Sequence, residues 1–362
     1  MDINKYVRLL AGIILRKKAF TGPYLVQLDI TNACNTVCLY CMNYSKLGLK
    51  EEYSNSWKKT SLDFETIQRV IPELKALGVK EIDVTGNGEP FSHPKVIKIL
   101  ELIKQNGMSC VVRTNGLLIN RKVIDQLLDI GLDGIDLSLW AGTAQGYIEA
   151  HPGENEQSFM KIKDWLDHLA AQRTQRKIKF KLKILNVIGH DTFRRTEEML
   201  RFACEVKADY VVFKYVLSEF FKTEVAKQIK LTSQEKQELL QISKSSVYKK
   251  KVGNNLDFLI GSIDRSFKVN NCYFGWLYSR LTVTGEVIPC CGCTEKKMGD
   301  FKKNTLSDIW SGEKYNEFRE KSKNINTDEY FKDCACTKVC PHYMPMISMK
   351  DMLRHIYQIW SH

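Results

Sequence analysis

A chain of 362 residues can bury a large core without covalent staples, so its twelve cysteines are not the framework of a small disulfide-rich scaffold. The formal net charge of +12 allows an anionic partner, a membrane surface or solubility alone. The basic residues are scattered (Lys177 to Lys183, Lys244 to Lys251) without interleaved aromatics, so nucleic-acid binding has no support. No run reaches membrane-spanning length. The apolar stretch from Leu9 to Leu15 is followed by Arg16-Lys17-Lys18 and lacks a small-residue cleavage site, so a cytoplasmic location is expected.

Taken in order, residues 1–23 form an amphipathic segment. Ile3, Val7, Leu10 and Ile14 fall on one helical stripe with Lys5, Arg8 and Arg16 opposite. Packing of this helix on the body is expected, with weak contact between residues 1–20 and an anionic membrane surface as the alternative. Strand-like runs follow at 24–30, 81–85, 109–114, 134–139, 178–188 and 209–216. They alternate with helical patterns at 63–77, 94–106, 121–130, 156–172 and 194–206. Six β/α units predict a parallel sheet with helices outside, spanning residues 24–220, with chemistry at the C-terminal ends of the strands. Residues 221–265 read as a Lys-rich helical connector, with Leu231, Glu235, Leu239 and Leu240 in phase. A small second domain is expected over 266–345, where Thr282 to Val287 reads as a hairpin with Gly285 in its turn. The tail 346–362 carries Met346, Met349, Leu353, Ile356 and Trp360 at helical spacing and is expected to close back on the body.

The cysteines fall into groups. Cys34, Cys38 and Cys41 follow directly on the first strand. Three thiolates on a compact loop suit an iron–sulfur cluster, and three rather than four leave one iron open to a small molecule. A zinc loop completed by a distant ligand is the competing reading. Cys272, Cys290, Cys291, Cys293, Cys334, Cys336 and Cys340 form the later groups, which suit metal ligation in a reducing compartment. Cys110 and Cys204 stand alone and are expected to be structural thiols.

The spacing Cys34-X3-Cys38-X2-Cys41, with Tyr40 before the last cysteine, resembles the signature of radical S-adenosylmethionine (radical SAM) enzymes. Thr85-Gly86-Asn87-Gly88-Glu89-Pro90 resembles the family's GGEP-type motif, with Asn87 in place of a glycine. Thr114-Asn115-Gly116, Ser138 and Asn186 are similar to its later strand-end residues. The resemblance implies a partial (β/α)6 barrel in an α/β fold. It also implies a [4Fe–4S] cluster on Cys34, Cys38 and Cys41, and SAM held by Gly86, Asn87, Gly88, Glu89, Pro90, Asn115, Ser138 and Asn186. SAM would be cleaved reductively to a 5'-deoxyadenosyl radical that abstracts hydrogen from substrate.

Cys272-X12-Gly285-X4-Cys290 resembles the opening of SPASM and twitch domains, which carry auxiliary clusters. The ending departs from a full SPASM pattern, because Cys334-X-Cys336-X3-Cys340 has no cysteine after it. The resemblance therefore implies one auxiliary [4Fe–4S] cluster on Cys272, Cys290, Cys336 and Cys340, with Cys334 as the competing ligand. Cys291 and Cys293 are left as cluster neighbours or as hydrogen donors to a substrate radical. An electron donor such as a flavodoxin or ferredoxin is implied. Thirty-three residues precede Cys34, fewer than a peptide-leader domain needs. That favours a small polar, sugar-like or nucleotide-linked substrate undergoing oxidation or epimerisation, with a peptide substrate as the alternative. A zinc-stabilised RNA-binding module and an electron-transfer protein without SAM chemistry are the readings from other classes.

Overall fold

Alternation of side chains along the strands decides the architecture. In the computed structural model, which describes residues 3–261, 271–325, 328–332 and 334, ten strands form one sheet in the order β10-β9-β8-β1-β2-β3-β4-β5-β6-β7. Strands β1 (Leu25–Asp29), β2 (Glu81–Thr85), β3 (Ser109–Thr114), β4 (Gly134–Ser138), β5 (Lys181–Ile188) and β6 (Tyr210–Tyr215) pair in parallel with their sequence neighbours. Between them run helices Phe64–Leu77, Val96–Gln105, Arg121–Asp129, Glu156–Arg176 and Thr196–Glu205, all close to the expected spans. The expected α/β fold with six parallel β/α units is the observed one.

Val26, Leu28, Ile82, Val84, Cys110, Val112, Ile135, Leu137, Leu182, Ile184, Val211 and Phe213 are buried in the core. Each such side chain stabilises the fold by roughly 1.5–3 kcal/mol relative to exposure, before the entropy of ordering is subtracted. Because side chains alternate across a strand, the intervening residues Gln27, Asp29, Asp83, Arg113, Asp136, Lys183 and Lys214 project to the other face. That face is polar. The helices are delimited by local chemistry: Asp63, Asn120 and Asn155 accept the N–H of Thr66, Val123 and Ser158 at the N-termini, and Gly78 closes Phe64–Leu77 at φ +83°.

The later segments extend this sheet. After β6, helices Thr223–Ile229, Ser233–Ser245 and Leu256–Gly261 flank the short edge strand β7 (Gly253–Asn254). Glu235, expected on a helical stripe, is instead buried in a capping box with Thr232. Strand β8 (Tyr278–Leu281) pairs in parallel with β1. It turns back through Gly285, at φ +99°, into β9 (Glu286–Ile288), which pairs with β10 (Gly299–Asp300). The expected hairpin is thus part of the main sheet. Helices Leu306–Ser311 and Glu313–Lys321 complete this region.

The N-terminal helix Ile3–Leu15 packs on the body, but not through the expected stripe. Leu9 and Ile13, one turn apart, are buried, while Val7 and Ile14 are exposed. The reason is local: Trp276 lies against Gly12 and donates its indole N–H to Lys18 O at 3.1 Å, which turns the Leu9–Ile13 side inward. The expected tail helix at 346–362 lies outside the described residues.

Candidate functional site

The first cysteine loop is docked backbone to backbone against the loop after β2. Gly88 N–H donates to Thr31 O at 3.3 Å and Glu89 N–H to Ala33 O at 2.7 Å. A Cβ on Gly86 would stand 2.2 Å from Thr31 O, and one on Gly88 2.1 Å from Ala33 O. Neither glycine has a positive φ. Their smallness therefore serves close approach of the two loops rather than a left-handed conformation.

Cys34, Cys38 and Cys41 are half-buried and are not joined by disulfides. Burial raises all three thiols, Cys34 to about 11. They are close enough for the charge of Cys41 to raise Cys34 and Cys38 further. Three crowded, desolvated thiols are a poor arrangement for free thiolates and a suitable donor set for a polynuclear cation. Among the described residues no three His, Cys, Asp or Glu side chains gather around one point as for a single ion. The thiolates of a cube bind three different irons, and the residues present fit that group.

The loop is braced from several sides. Thr36 Oγ1 donates to Glu154 Oε1 at 2.8 Å, and Tyr40 O–H to Asp191 Oδ2 at 2.7 Å. Tyr44 O–H donates to Asn32 O. Asn43 Nδ2 donates to Asn87 O at 3.0 Å, Asn87 Nδ2 to Asn32 Oδ1 at 3.3 Å, and Arg280 Nη2 to Asn87 Oδ1 at 2.9 Å.

Glu89 is buried, and its carboxylate is taken up by the chain. Oε1 accepts from Thr114 Oγ1 at 2.7 Å and Phe91 N at 3.0 Å, and Oε2 from Asn115 N at 2.7 Å. Burial raises it to about 7 despite those three donors. Pro90 opens the short turn that Glu89 caps. Asn115 Nδ2 in turn donates to Asn35 Oδ1 at 2.9 Å, tying the end of β3 to the cysteine loop. The structure thus brings Cys34, Cys38, Cys41, Gly86 to Pro90 and Asn115 into one assembly. Ser138 and Asn186 are separated from each other: Ser138 pairs with Leu185 and Asn186 with Phe213, so their side chains leave opposite faces. Asn186 is 1% exposed, and neither atom of its amide has a hydrogen-bond partner.

In the second group, Cys272, Cys290 and Cys291 lie together. Cys290 is raised first by its hydrogen bond with Cys291, then by burial, with Cys272 adding to it. Cys291, left surplus by spacing alone, therefore sits beside the proposed ligands. Cys293 forms a disulfide with Cys334, their Cα atoms 4.7 Å apart. Cys336 and Cys340 lie outside the described residues.

Sequence reading missed the polar face. Arg280 Nη2 is 2.6 Å from Asp29 Oδ2, with Nε on the same oxygen at 2.8 Å, and both residues are buried. Tyr278 O–H donates to Gln27 Oε1 at 2.7 Å, and Gln27 Nε2 to Asp29 Oδ1 at 3.0 Å. Arg113 lies 3.2 Å from Asp136 and 3.8 Å from Asp83. The available signal was charge at every second position of the strands.

Comparison with known proteins agrees with this geometry. Residues 28–203 match the Radical SAM superfamily, and residues 272–341 match the SPASM iron–sulfur cluster-binding domain. The chain belongs to the radical SAM superfamily. It is a radical SAM enzyme with a C-terminal SPASM-type domain, and its cofactors are [4Fe–4S] clusters and SAM. This radical SAM protein is 36% identical over 116 residues to a GTP 3',8-cyclase of Chlorobaculum tepidum, a match covering 32% of each chain. The match thus spans about a third of that relative's length. It is 20% identical over 311 residues to a PqqA peptide cyclase of Bradyrhizobium diazoefficiens, covering 83% of this chain and 77% of the relative. Its fold is similar to that of Streptococcus suis SuiB bound to precursor peptide SuiA. There the TM-score is 0.64 at 16% identity, over 93% of this chain and 75% of that one. Among the described residues of this radical SAM protein, no helix is long and apolar enough to cross a membrane.

Proposed function

We propose that this radical SAM enzyme abstracts hydrogen from a polar substrate lying against the charged face of its sheet, giving oxidation or epimerisation. The carrying observation is that Arg280, from the SPASM-type region, closes on Asp29 of β1 and on Asn87 of the cofactor loop. That contact joins cysteine loop, SAM loop and polar face in one place. When bound, the front cluster and SAM supply a reductively generated carbon radical. The chain orients and shields. Cys34, Cys38 and Cys41 would hold the front cluster, and Gly86 to Pro90, Asn115 and Ser138 would position SAM, whereas the Asn186 side chain leaves the opposite face of the sheet and is not used. Glu89 orders its loop through Thr114 and Asn115. Cys272 and Cys290, with Cys336 and Cys340, hold one auxiliary cluster, with Cys291 against them. A cytoplasmic flavodoxin or ferredoxin serves as electron donor.

A peptide substrate is the second reading. It is favoured by the relative named as a peptide cyclase, which aligns over most of its length, and by the peptide bound to SuiB.

Anaerobic reconstitution with iron and sulfide tests the assignment. About eight irons per chain are expected for two cubes, and stoichiometric zinc would overturn it. With dithionite and SAM, 5'-deoxyadenosine should form. Cys34→Ala, Cys38→Ala and Cys41→Ala should each abolish it, while Cys272→Ala and Cys290→Ala should spare uncoupled cleavage. Equal loss in both groups, in folded protein, counts against the division of roles.

A further inference from the structure

We infer that the outward side of the N-terminal helix Ile3–Leu15 is a docking surface for an anionic membrane. Seven residues make about two helical turns, so Val7 and Ile14 stand on one side, with Leu15 beside them. These three are 55%, 67% and 62% exposed. Leu9 and Ile13, on the opposite side, are 4% and 0% exposed and hold the helix to the body. The chain then turns at Arg16, whose φ is +55°, and Trp276 Nε1 donates to Lys18 O at 3.1 Å. Attachment to the body thus draws on none of Val7, Ile14 and Leu15. The helix has two apolar sides, and the fold uses one. Phe20, 40% exposed, adds to the apolar surface of this segment.

Charge decides what fits there. Between Asp2 and Asp29 the chain carries Lys5, Arg8, Arg16, Lys17 and Lys18 and no acidic residue. Arg16 is turned to the body, donating from Nη1 to Asn271 Oδ1 at 2.9 Å, and Lys17 lies 3.6 Å from Glu320. Arg8 on the helix and Lys18 just beyond it are exposed. Exposed apolar side chains flanked by cations suit the boundary of an anionic bilayer, where the former enter the acyl region and the latter meet headgroups. A second copy docked through the same face would set two groups of cations against each other. A nucleic acid would leave the apolar residues in water. The helix meets the body at Trp276, two residues before β8, and β8 starts level with β1. The Cys34–Cys41 loop follows the other end of β1, so a docked protein keeps its cofactor end free.

The test sediments full-length reconstituted protein with vesicles of phosphatidylcholine alone, or with about a quarter phosphatidylglycerol, at about 0.15 M salt. Binding to the anionic vesicles is expected, weakened about tenfold in Ile14→Ser/Leu15→Ser and by a similar factor in Arg8→Gln/Lys18→Gln. Lys122→Gln/Lys161→Gln removes the same charge from exposed positions on other helices and should stay within about threefold of wild type. All three variants change exposed residues and should melt with wild type. Formation of 5'-deoxyadenosine from SAM without vesicles should be unchanged in each. No binding by wild type, equal binding to both vesicle types, or wild-type binding in Ile14→Ser/Leu15→Ser overturns the inference. So does a dimer in sedimentation velocity that Ile14→Ser/Leu15→Ser abolishes, since the outward side would then belong to a second copy.

Discussion

Glu89 shows how one residue couples burial, proton binding and loop order. Its carboxyl is raised from 4.5 to about 7, mainly by burial. The folded state therefore binds a proton that the unfolded state has released between those values, and this residue's contribution to stability falls as pH rises through that window. Glu89→Gln removes the titration while keeping an acceptor for Thr114. The melting temperature of the variant should rise relative to wild type as pH goes from about 4.5 to 7, and a constant difference would refute the assignment. Motif reading found Glu89 but left its partners undetermined. Those partners, Thr114 and Asn115, come from the next strand, and no local spacing announces that Oε2 meets Asn115 N–H.

Between the elements, the tightest fit is the pair of docked loops. Gly88→Ala places a methyl group 2.1 Å from Ala33 O and 2.3 Å from Asn32 O, both backbone atoms that have little room to give. The variant should keep its far-ultraviolet circular dichroism but lose about half or more of its front-cluster iron on reconstitution, because the cysteine loop is displaced. Arg280→Met acts at the seam between β8 and β1, leaving buried Asp29 with Gln27 alone among the side chains described around it. Urea unfolding should show a loss of about 3 kcal/mol, as for other broken buried ion pairs. The six parallel strands were legible because apolar residues recur at every second position with helical patterns between them. The union of β8 with β1 was not, since it joins residues some 250 positions apart and no periodicity encodes a partner at that range. The reading of Cys291 as a cluster neighbour agrees with its hydrogen bond to Cys290, whereas spacing alone left that reading level with the hydrogen-donor one.

Across the whole molecule, one sheet runs from the parallel strands into the SPASM-type region. A chain truncated before Cys272 would expose the β1 edge from Leu25 to Leu28, where β8 now pairs. Such edges recruit other strands, so the truncated protein should elute as aggregate on size-exclusion chromatography and reconstitute its front cluster poorly. Monomeric, fully loaded truncated protein would show that the two regions are independent. The family was readable from two cysteine spacings and a glycine loop. The charged face was not singled out, although its alternation was present in Gln27, Asp29, Asp83, Arg113, Asp136 and Lys183.

The guanidinium of Arg280 reaches Asn87 from a strand made late in translation. A nascent chain that has already laid down all six parallel strands still lacks that contact. The Gly86–Pro90 loop thus gains this brace only once synthesis has passed strand β8, after every parallel strand from β1 to β6 has been made.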